Sequence, residues 1–288
     1  MTERTLEKGR RYLVTVADDL GCSSSVNQAV ARAHDSGILT SASLMAGGDA
    51  FEEAVLMTRA RSRLSVGLHV TLCDARPVLA PSSIPGLVGP DGRMEQSPAW
   101  AGVRYWRQRR ELLPQIEAEV RAQFDRLDEA GIRPSHVDGH HHLHMHPVIF
   151  EVVCREASQR RVEWVRIPRE PLSAVFALRS PSRRGLPYME WAVFGMLGIY
   201  NTRMARKYGL RTACPVYGLS FTGSLDRRRI LDVLERSNGT VNEIFSHPDT
   251  ATGSGRQELE ALTYAEVRQR LTSHGFALVG YRELSGKS

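Results

Sequence analysis

The stretch Tyr12-Leu-Val-Thr-Val-Ala17 is short, apolar and rich in β-branched residues, and it runs directly into Asp18-Asp19-Leu20-Gly21. These properties are typical of a buried strand. The serines at 23–25 offer an N-cap for a helix whose apolar residues keep helical spacing up to Gly37. A strand that is followed at once by a helix is the repeating unit of α/β folds, so this stretch predicts that class.

The same alternation continues through most of the chain, and it favours parallel strands joined by helical crossovers. A length of 288 residues suits one large α/β domain, which we expect to span residues 1–288. Further strands are predicted over 38–45, 64–72, 136–138, 164–167, 240–245 and 276–281, and helices over 49–61, 114–131, 147–158, 226–235 and 258–271.

Two segments interrupt the alternation, and we expect both to be insertions or lids on the single domain. Residues 77–105 are rich in proline and glycine, and so long a loop is usually functional or disordered. Residues 171–215 contain the apolar stretch 189–200, with Arg183 and Arg184 before it and further basic residues after it. Such a stretch can be a buried core helix, or it can lie in a membrane interface.

Composition limits the partners and the cellular location expected for the protein. The net charge of +6 favours contact with anionic surfaces, but no nucleic-acid-binding motif accompanies it, so we expect no nucleic acid partner. The charged N-terminus does not resemble a secretory signal, and no stretch approaches the ~20 apolar residues of a membrane span. The four cysteines are far apart and predict reduced thiols. A cytoplasmic protein is expected, with peripheral contact at the inner membrane left open.

Six of the ten histidines fall between Ser135 and Pro147, in the order His136, His140, His141, His142, His144 and His146. Neutral imidazole is the commonest metal ligand in proteins. Asp18-Asp19 and His69 supply matching donors elsewhere in the chain. Together they predict a mixed His/Asp site for one divalent cation.

The candidate residues share a position relative to the predicted strands. Asp18-Asp19, His140 and His247 fall at or just beyond a strand's carboxyl end, while His69 lies within its strand. In parallel α/β barrels those ends form one rim, where active sites lie. We therefore expect one shared site.

Each residue has a simpler interpretation when taken alone. Asp18-Asp19 can be a helix N-cap, and His69 can be a buried histidine with hydrogen-bonded neighbours. An exposed His-rich tract can bind metal adventitiously, and His247 can be a turn residue before proline. The combination favours a site, because several buried imidazoles without a function would leave many polar nitrogens to satisfy.

Adjacent carboxylates on an extended strand point in different directions. One of the Asp18-Asp19 pair can bind a cation while the other reaches a water on that cation. A cation lowers the pKa of bound water from about 16 to about 7, and a carboxylate can accept the proton. His247 can act as a general acid, because histidine transfers protons near neutral pH.

Four motifs resemble the YdjC-like carbohydrate deacetylase family, whose members include chitooligosaccharide deacetylases. The resemblance implies a distorted (β/α) TIM-like barrel with parallel strands that removes N-acetyl groups from amino sugars. The motifs cover most of the chain in the family's order, and Leu20, where the family often has Phe, is a conservative departure. They are Val16-Ala-Asp-Asp-Leu-Gly21, Gly67-Leu-His69, His136-Val-Asp-Gly-His-His-His-Leu-His144 and Glu243-Ile-Phe-Ser-His-Pro248.

By motif position, the resemblance implies that Asp19, His69 and His140 are the metal ligands. It implies that Asp18 is the catalytic base and that His247 protonates the leaving amine. The remaining members of the cluster are expected to orient the ligands or face the substrate: His136, His141, His142 and His144. From residue type alone, Arg166 is expected to hold Asp18 by an ion pair.

The sequence also resembles the hopanoid-biosynthesis-associated branch of this family. That resemblance implies a lipid-linked substrate, an N-acetylglucosaminyl hopanoid, rather than a small-molecule amino sugar such as a chitooligosaccharide. Two other functions stay open: a metal-dependent phosphoesterase, and a non-catalytic glycolipid-binding protein. Two histidines and one carboxylate favour Zn²⁺ as the cofactor, and family members are also described with Mg²⁺.

Overall fold

The computed structural model describes residues 9–179 and 186–286. Arg183 and Arg184, which flank the apolar stretch in the sequence, lie outside the described residues. Within those residues, eight strands form one sheet. The strands are β1 (Arg11–Leu20), β2 (Ser41–Leu44), β3 (Ser65–Val70), β4 (His136–Gly139), β5 (Trp164–Val165), β6 (Val216–Tyr217), β7 (Val241–Ser246) and β8 (Phe276–Leu278).

The strands follow the order β5-β4-β3-β2-β1-β7-β6, and β8 also pairs with β1. All of these pairings are parallel. The sheet forms a half-barrel surrounded by helices, which confirms the predicted α/β fold of the distorted TIM-like (β/α) barrel type. Because the strands are parallel, their carboxyl ends open on the same side of the sheet.

Helices connect the strands and cover the sheet. Within the described part of the chain they are α1 (Ser24–Ser36), α2 (Phe51–Arg59), α3 (Pro98–Arg107), α4 (Arg109–Glu129), α5 (Pro147–Gln159), α6 (Leu172–Leu178), α7 (Leu186–Lys207), α8 (Arg227–Arg236), α9 (Gly253–Thr263), α10 (Ala265–Ser273) and α11 (Tyr281–Leu284).

Local sequence explains where several helices begin. The Ser23 hydroxyl accepts a hydrogen bond from the Val26 N–H at 3.3 Å, which confirms the predicted cap of α1. The carboxylate of Asp226 caps α8 in the same way through the Arg229 N–H at 2.8 Å. Pro147 begins α5, where its missing N–H costs no hydrogen bond.

The interior strands β3 and β4 are buried along their whole length. Such strands are usually almost entirely apolar when both faces are covered. Here they carry His69, His136 and Asp138, each no more than 1% exposed. Buried polar groups require partners, so these three side chains direct attention to the adjacent rim.

The segment 77–105 is more ordered than its composition predicts. It contains a 3-10 turn at Pro81–Ser83, and its end forms most of α3. A carboxylate from α4 ties the segment down, because Glu119 accepts the backbone N–H groups of Val78 at 2.8 Å and Leu79 at 3.0 Å. A role of this segment as a lid stays a prediction.

Three other boundaries differ from the sequence-based prediction. The helix expected to begin at Pro114 begins at Arg109, with the proline inside α4. The helix expected over 258–271 is two helices, because Tyr264 adopts an extended ψ of 119° between α9 and α10. The strand expected over 276–281 ends at Leu278, and Tyr281 begins α11.

The apolar stretch 189–200 lies within α7, and its interpretation as a buried core helix is wrong. Met189 is 61% exposed and Met196 is 68% exposed. Over residues 9–179 and 186–286, no helix combines the length and apolar character needed to cross a membrane.

Candidate metal and active site

Asp18 and Asp19 lie in the last three residues of β1, within the predicted region at or just beyond the strand's carboxyl end. Asp19 has a φ of 62°, in the left-handed region, and the register between β1 and β2 shifts between Ala17 and Leu20. Side chains of a regular strand alternate between its two faces. The irregular backbone at Asp19 instead lets both carboxylates line one cavity of about 390 Å³.

Asp19, His69 and His140 come together at the rim. Asp19 Oδ1 is 2.7 Å from His140 Nδ1 and 3.2 Å from His69 Nε2. The three ligand atoms of this group all lie within 4.8 Å of one another. Two imidazole nitrogens and one carboxylate oxygen, with space toward the cavity, fit a divalent cation such as Zn²⁺.

Burial and the two imidazoles act in opposite directions on this group. Burial, the largest single influence, raises the pKa of Asp19, but the hydrogen bonds and charge interactions with His140 and His69 together hold that pKa well below its ordinary value. Burial lowers the pKa of His69, yet the nearby carboxylates, Asp138 foremost, raise it to about 10. The site therefore attracts positive charge, whether a proton or a metal ion.

Asp138, on β4, orients His69. Its Oδ1 lies 2.7 Å from His69 Nδ1, which turns the Nε2 of the same ring toward Asp19. Ser43 donates to Asp138 Oδ2 at 2.6 Å, and Arg166 Nη2 lies 2.9 Å from the same oxygen. A carboxylate behind a ligating histidine fixes its tautomer and orientation. Asp138 carried no predicted role, although it lies inside the His136–His144 motif.

Arg166 contacts carboxylates on three strands, Asp18, Asp138 and Glu243. The predicted ion pair with Asp18 is present, with Nη1 2.7 Å from Oδ2 and Nη2 2.8 Å from Oδ1. Its Nε donates to Glu243 on β7, a residue that received no role in the sequence analysis. Burial lowers the pKa of Arg166, but the surrounding carboxylates raise it well above the ordinary value. The guanidinium therefore stays charged although only 1% exposed.

His247 follows β7 and faces Asp18 across the cavity. Its Nε2 lies 3.9 Å from Asp18 Oδ2, and one third of its side chain is exposed. The backbone N–H of His247 donates to Glu258 Oε2 at 2.5 Å, which fixes the turn before the proline. Its ring is therefore held at the cavity and open to a substrate.

The four other predicted histidines separate into two pairs. His141 and His142 line the cavity, and His141 Nε2 lies 3.3 Å from Asp74 Oδ2. His136 and His144 are 1% exposed and lie beneath the rim, so they are not positioned to face a substrate.

His136 and His144 support the site from below. His136 Nε2 lies 3.1 Å from the Ser43 hydroxyl that also holds Asp138, and His144 Nε2 lies 3.0 Å from the Arg166 carbonyl oxygen. Burial lowers the pKa of His136 to about 3 and that of His144 to about 4. Both rings are therefore neutral at physiological pH. A Cβ at Gly67 would lie only 2.4 Å from the His136 ring, so glycine makes the space for it.

An apolar cavity of about 500 Å³ adjoins the cavity lined by Asp18 and Asp19, and the two share Phe194 and Leu219 as lining residues. Its walls come from α7 and from the segment after β5, including Trp191, Met196 and Ile199. A second group of possible ligands, Asp74, His140 and His141, lies on the exposed side of the first.

Known proteins similar to this chain match it over nearly its whole length. A carbohydrate deacetylase of Brevibacillus brevis is 36% identical over 284 residues, covering 94% of this chain and 99% of the relative. A chitooligosaccharide deacetylase of Salmonella typhimurium is 35% identical over 279 residues, covering 92% and 96%.

A similar fold is also known from a crystal structure. A candidate cellobiose-phosphate cleavage protein of Enterococcus faecalis V583 has a TM-score of 0.74 at 23% identity, covering 96% of this chain and 100% of the other. The sequence profile of the family described as YdjC-like protein matches residues 12–273. That match covers most of the chain, with the rim residues from Asp18 to His247 inside it. The chain belongs to the YdjC-like protein family.

Proposed function

We propose that this protein removes the N-acetyl group of an amino sugar by metal-dependent hydrolysis. The observation that carries the proposal is the position of Asp18, which directly precedes the ligand Asp19 and faces His247 at 3.9 Å in one cavity. The deacetylase names of the two relatives support the same reaction.

An amide is a poor electrophile with a poor leaving group, so its hydrolysis needs three kinds of help. Asp19, His69 and His140 would hold a divalent cation, which would polarise the acyl carbonyl and make a water more acidic. Asp18 accepts the proton of the attacking water, since a carboxylate bound by two N–H donors keeps free lone pairs. His247 donates a proton to the departing nitrogen.

Zinc is the proposed metal. Two imidazoles and one carboxylate are the donor set of many zinc hydrolases, whereas Mg²⁺ prefers oxygen ligands. The test is metal analysis of the purified protein, followed by activity after chelation and re-addition of Zn²⁺ or Mg²⁺. Recovery with Mg²⁺ alone would contradict the proposal for zinc.

The proposed substrate is an N-acetylglucosaminyl hopanoid, in which the amino sugar carries a polycyclic lipid. The apolar cavity of about 500 Å³ beside the catalytic one supports an apolar aglycone, because Met196 and Ile199 offer apolar contacts to a polycyclic lipid. A chitooligosaccharide is the alternative substrate, as in the relative from Salmonella typhimurium.

Mass spectrometry tests both parts of this proposal. The zinc-loaded protein is incubated with N-acetylglucosaminyl bacteriohopanetetrol and, separately, with diacetylchitobiose. Loss of one acetyl group from the hopanoid alone supports the proposal, and loss from chitobiose alone overturns the substrate. Asp18→Asn should abolish the reaction, while Asp35→Asn, at a surface pair with Arg61, should leave it intact.

One observation favours a second candidate, a metal-dependent phosphoesterase. Asp74, His140 and His141 could hold another ion beside the first, and paired ions are typical of phosphoesterases. Two metal ions per chain, together with hydrolysis of a generic phosphate ester, would support it. A single ion and no phosphatase activity would favour deacetylation.

A further inference from the structure

The exposed face of α7 is apolar. Met189, Val193, Met196 and Tyr200 recur at intervals of three or four residues, which puts them on one face of the helix. Val193 is 44% exposed, Met196 68% and Tyr200 43%. Surface helices normally turn their polar side to solvent, so this face of α7 has the reverse of the usual pattern.

Helix α3 extends this face. Trp100 is 68% exposed, Val103 is 47% exposed and Trp106 is 52% exposed. Both helices line one depression, Trp106 from α3 and Met196 and Tyr200 from α7. Exposed apolar patches of this kind on soluble proteins usually mark interaction sites. We name this the α3–α7 surface: Trp100, Val103, Trp106, Val193, Met196, Ile199 and Tyr200.

The α3–α7 surface borders the candidate active site. Met196 lines the apolar cavity as well as the depression at Trp106. Phe194, on α7, and Pro98, the first residue of α3, line the catalytic cavity itself. Whatever contacts the surface therefore lies at the entrance to the site.

Basic side chains surround the same surface. Arg107, Arg109 and Arg110 are exposed at the junction of α3 and α4, and the Arg109 guanidinium lies 5.3 Å from the Trp106 ring centre. Arg203 is exposed on the last turns of α7, where it continues the apolar face. Among the described side chains, Glu111 is exposed near the start of α4, and Glu151 on α5 is paired with Lys207 at 3.2 Å. The rim is therefore positively charged.

We propose that the α3–α7 surface docks on an anionic lipid membrane. Tryptophan, methionine and valine side chains enter the interface between headgroups and acyl chains, while the arginines contact anionic headgroups. A second copy of the chain is a poorer occupant, because a twofold interface would bring the same arginines against each other. Docking explains both the apolar face and its basic rim.

Docking in this orientation turns the catalytic cavity toward the lipid. An amino sugar anchored by a polycyclic lipid would then reach Asp18 and His247 without leaving the membrane. This consequence rests on the proposed function, whereas membrane binding itself does not. The two can therefore fail separately.

Sedimentation with sucrose-loaded vesicles tests the docking. The full chain is mixed with vesicles of phosphatidylcholine alone or with phosphatidylglycerol added. We expect binding to the anionic vesicles that weakens with salt. The variant R107Q/R203Q should bind about 25-fold more weakly, at about fivefold per arginine. The matched control R59Q/R133Q removes the same charge at the cavity near the amino ends of β3 and β4, and should bind like the parent.

A second pair of variants tests the apolar part. W100Q/V193Q should weaken vesicle binding by at least about tenfold. Leu56→Gln removes an equally exposed apolar side chain, 65% exposed, from α2 and should have no effect. Activity on water-soluble diacetylchitobiose, assayed without vesicles, reports the catalytic site independently of docking.

Several results would overturn the docking. The first is that the parent protein does not bind anionic vesicles, and the second is that W100Q/V193Q and Leu56→Gln weaken vesicle binding equally. The third is a dimer in sedimentation equilibrium that W100Q/V193Q dissociates. The last result would assign the surface to self-association. If W100Q/V193Q no longer binds vesicles but hydrolyses diacetylchitobiose like the parent protein, the result supports docking and does not affect the proposed reaction.

Discussion

Arg166 contacts both carboxylate oxygens of Asp18, at 2.7 Å and 2.8 Å, beneath the floor of the cavity. This two-point contact fixes the plane of the carboxylate as well as its position. The same guanidinium contacts Asp138, which orients the ligand His69. One buried cation thus positions both the proposed base and, through a second carboxylate, one of the proposed metal ligands.

Replacement of Arg166 by methionine should destabilise the protein by about 3–5 kcal/mol, since three buried carboxylates lose their counter-ion. Equilibrium denaturation measures the loss. Arg228→Met is the control, because its pair with Asp232 spans 4.0 Å at a side chain that is 89% exposed. If both variants lose the same stability, the buried network does not contribute as described.

Asp138→Asn should weaken metal binding by about 10- to 100-fold, since the partner that fixes the His69 ring loses its charge. Competition with a calibrated chelator measures the affinity. Glu243→Gln is the matched control, as it takes one carboxylate from Arg166 without touching His69. Equal effects would show that the total charge, and not the orientation of His69, sets the affinity.

His247→Gln should lower kcat for N-acetyl hydrolysis by about 10²- to 10⁴-fold, because it removes the proposed proton donor to the leaving nitrogen. An aryl acetate has a leaving group that needs no proton, so the variant should retain most of its activity there. His274→Gln, at the end of α10, is the control. An equal loss on amide and ester would contradict the role of His247 as general acid.

Glu170, at the wall of the apolar cavity, should make stability depend on pH. Burial raises its pKa from 4.5 to about 7, although the N–H groups of Gly218 and Ser220 oppose the shift. Between about pH 4.5 and 7 the unfolded chain loses this proton while the folded protein keeps it, so stability falls as pH rises. Glu170→Gln has no titrating carboxyl at this position, so the decrease in stability caused by Glu170 should be absent.

The stability advantage of Glu170→Gln over the parent protein should therefore grow between pH 5 and pH 8. Denaturation at both pH values measures this difference. The same advantage at both values would mean that the Glu170 carboxyl does not titrate in that interval.

Local signals predicted much of the fold and most residues of the candidate site. Asp18, Asp19, His69, His140 and His247 were found because chemically active residues at strand ends are visible in the sequence, and the structure gathers them at one cavity. The roles assigned to them stay predictions. The cap of α1 was predicted to be one of the serines at 23–25, and the structure identifies it as Ser23.

The features that could not be predicted from the sequence depend mainly on contacts between residues distant in the chain. Asp138 and Glu243 lie inside two of the quoted motifs, but their shared partner Arg166 is distant in the chain, so their pairing could not be predicted locally. Helix α3 was missed because the prolines and glycines of 77–105 masked its short helical pattern. The exposed face of α7 was hidden for another reason, since apolar composition alone does not show which side meets solvent.

Because β1 pairs with β7 and β8, the sheet cannot be completed until those later strands have been synthesised. Domains generally begin to fold from the N-terminus as the ribosome extends the chain. Here β1 leaves the ribosome long before β7 and β8, the strands that pair with it later. Until then the nascent chain exposes an unpaired edge of the central strand, which is a hazard for aggregation. A chain truncated before Val241 would thus leave the edge of β1 that pairs with β7 exposed. It would also contain Asp18 without His247.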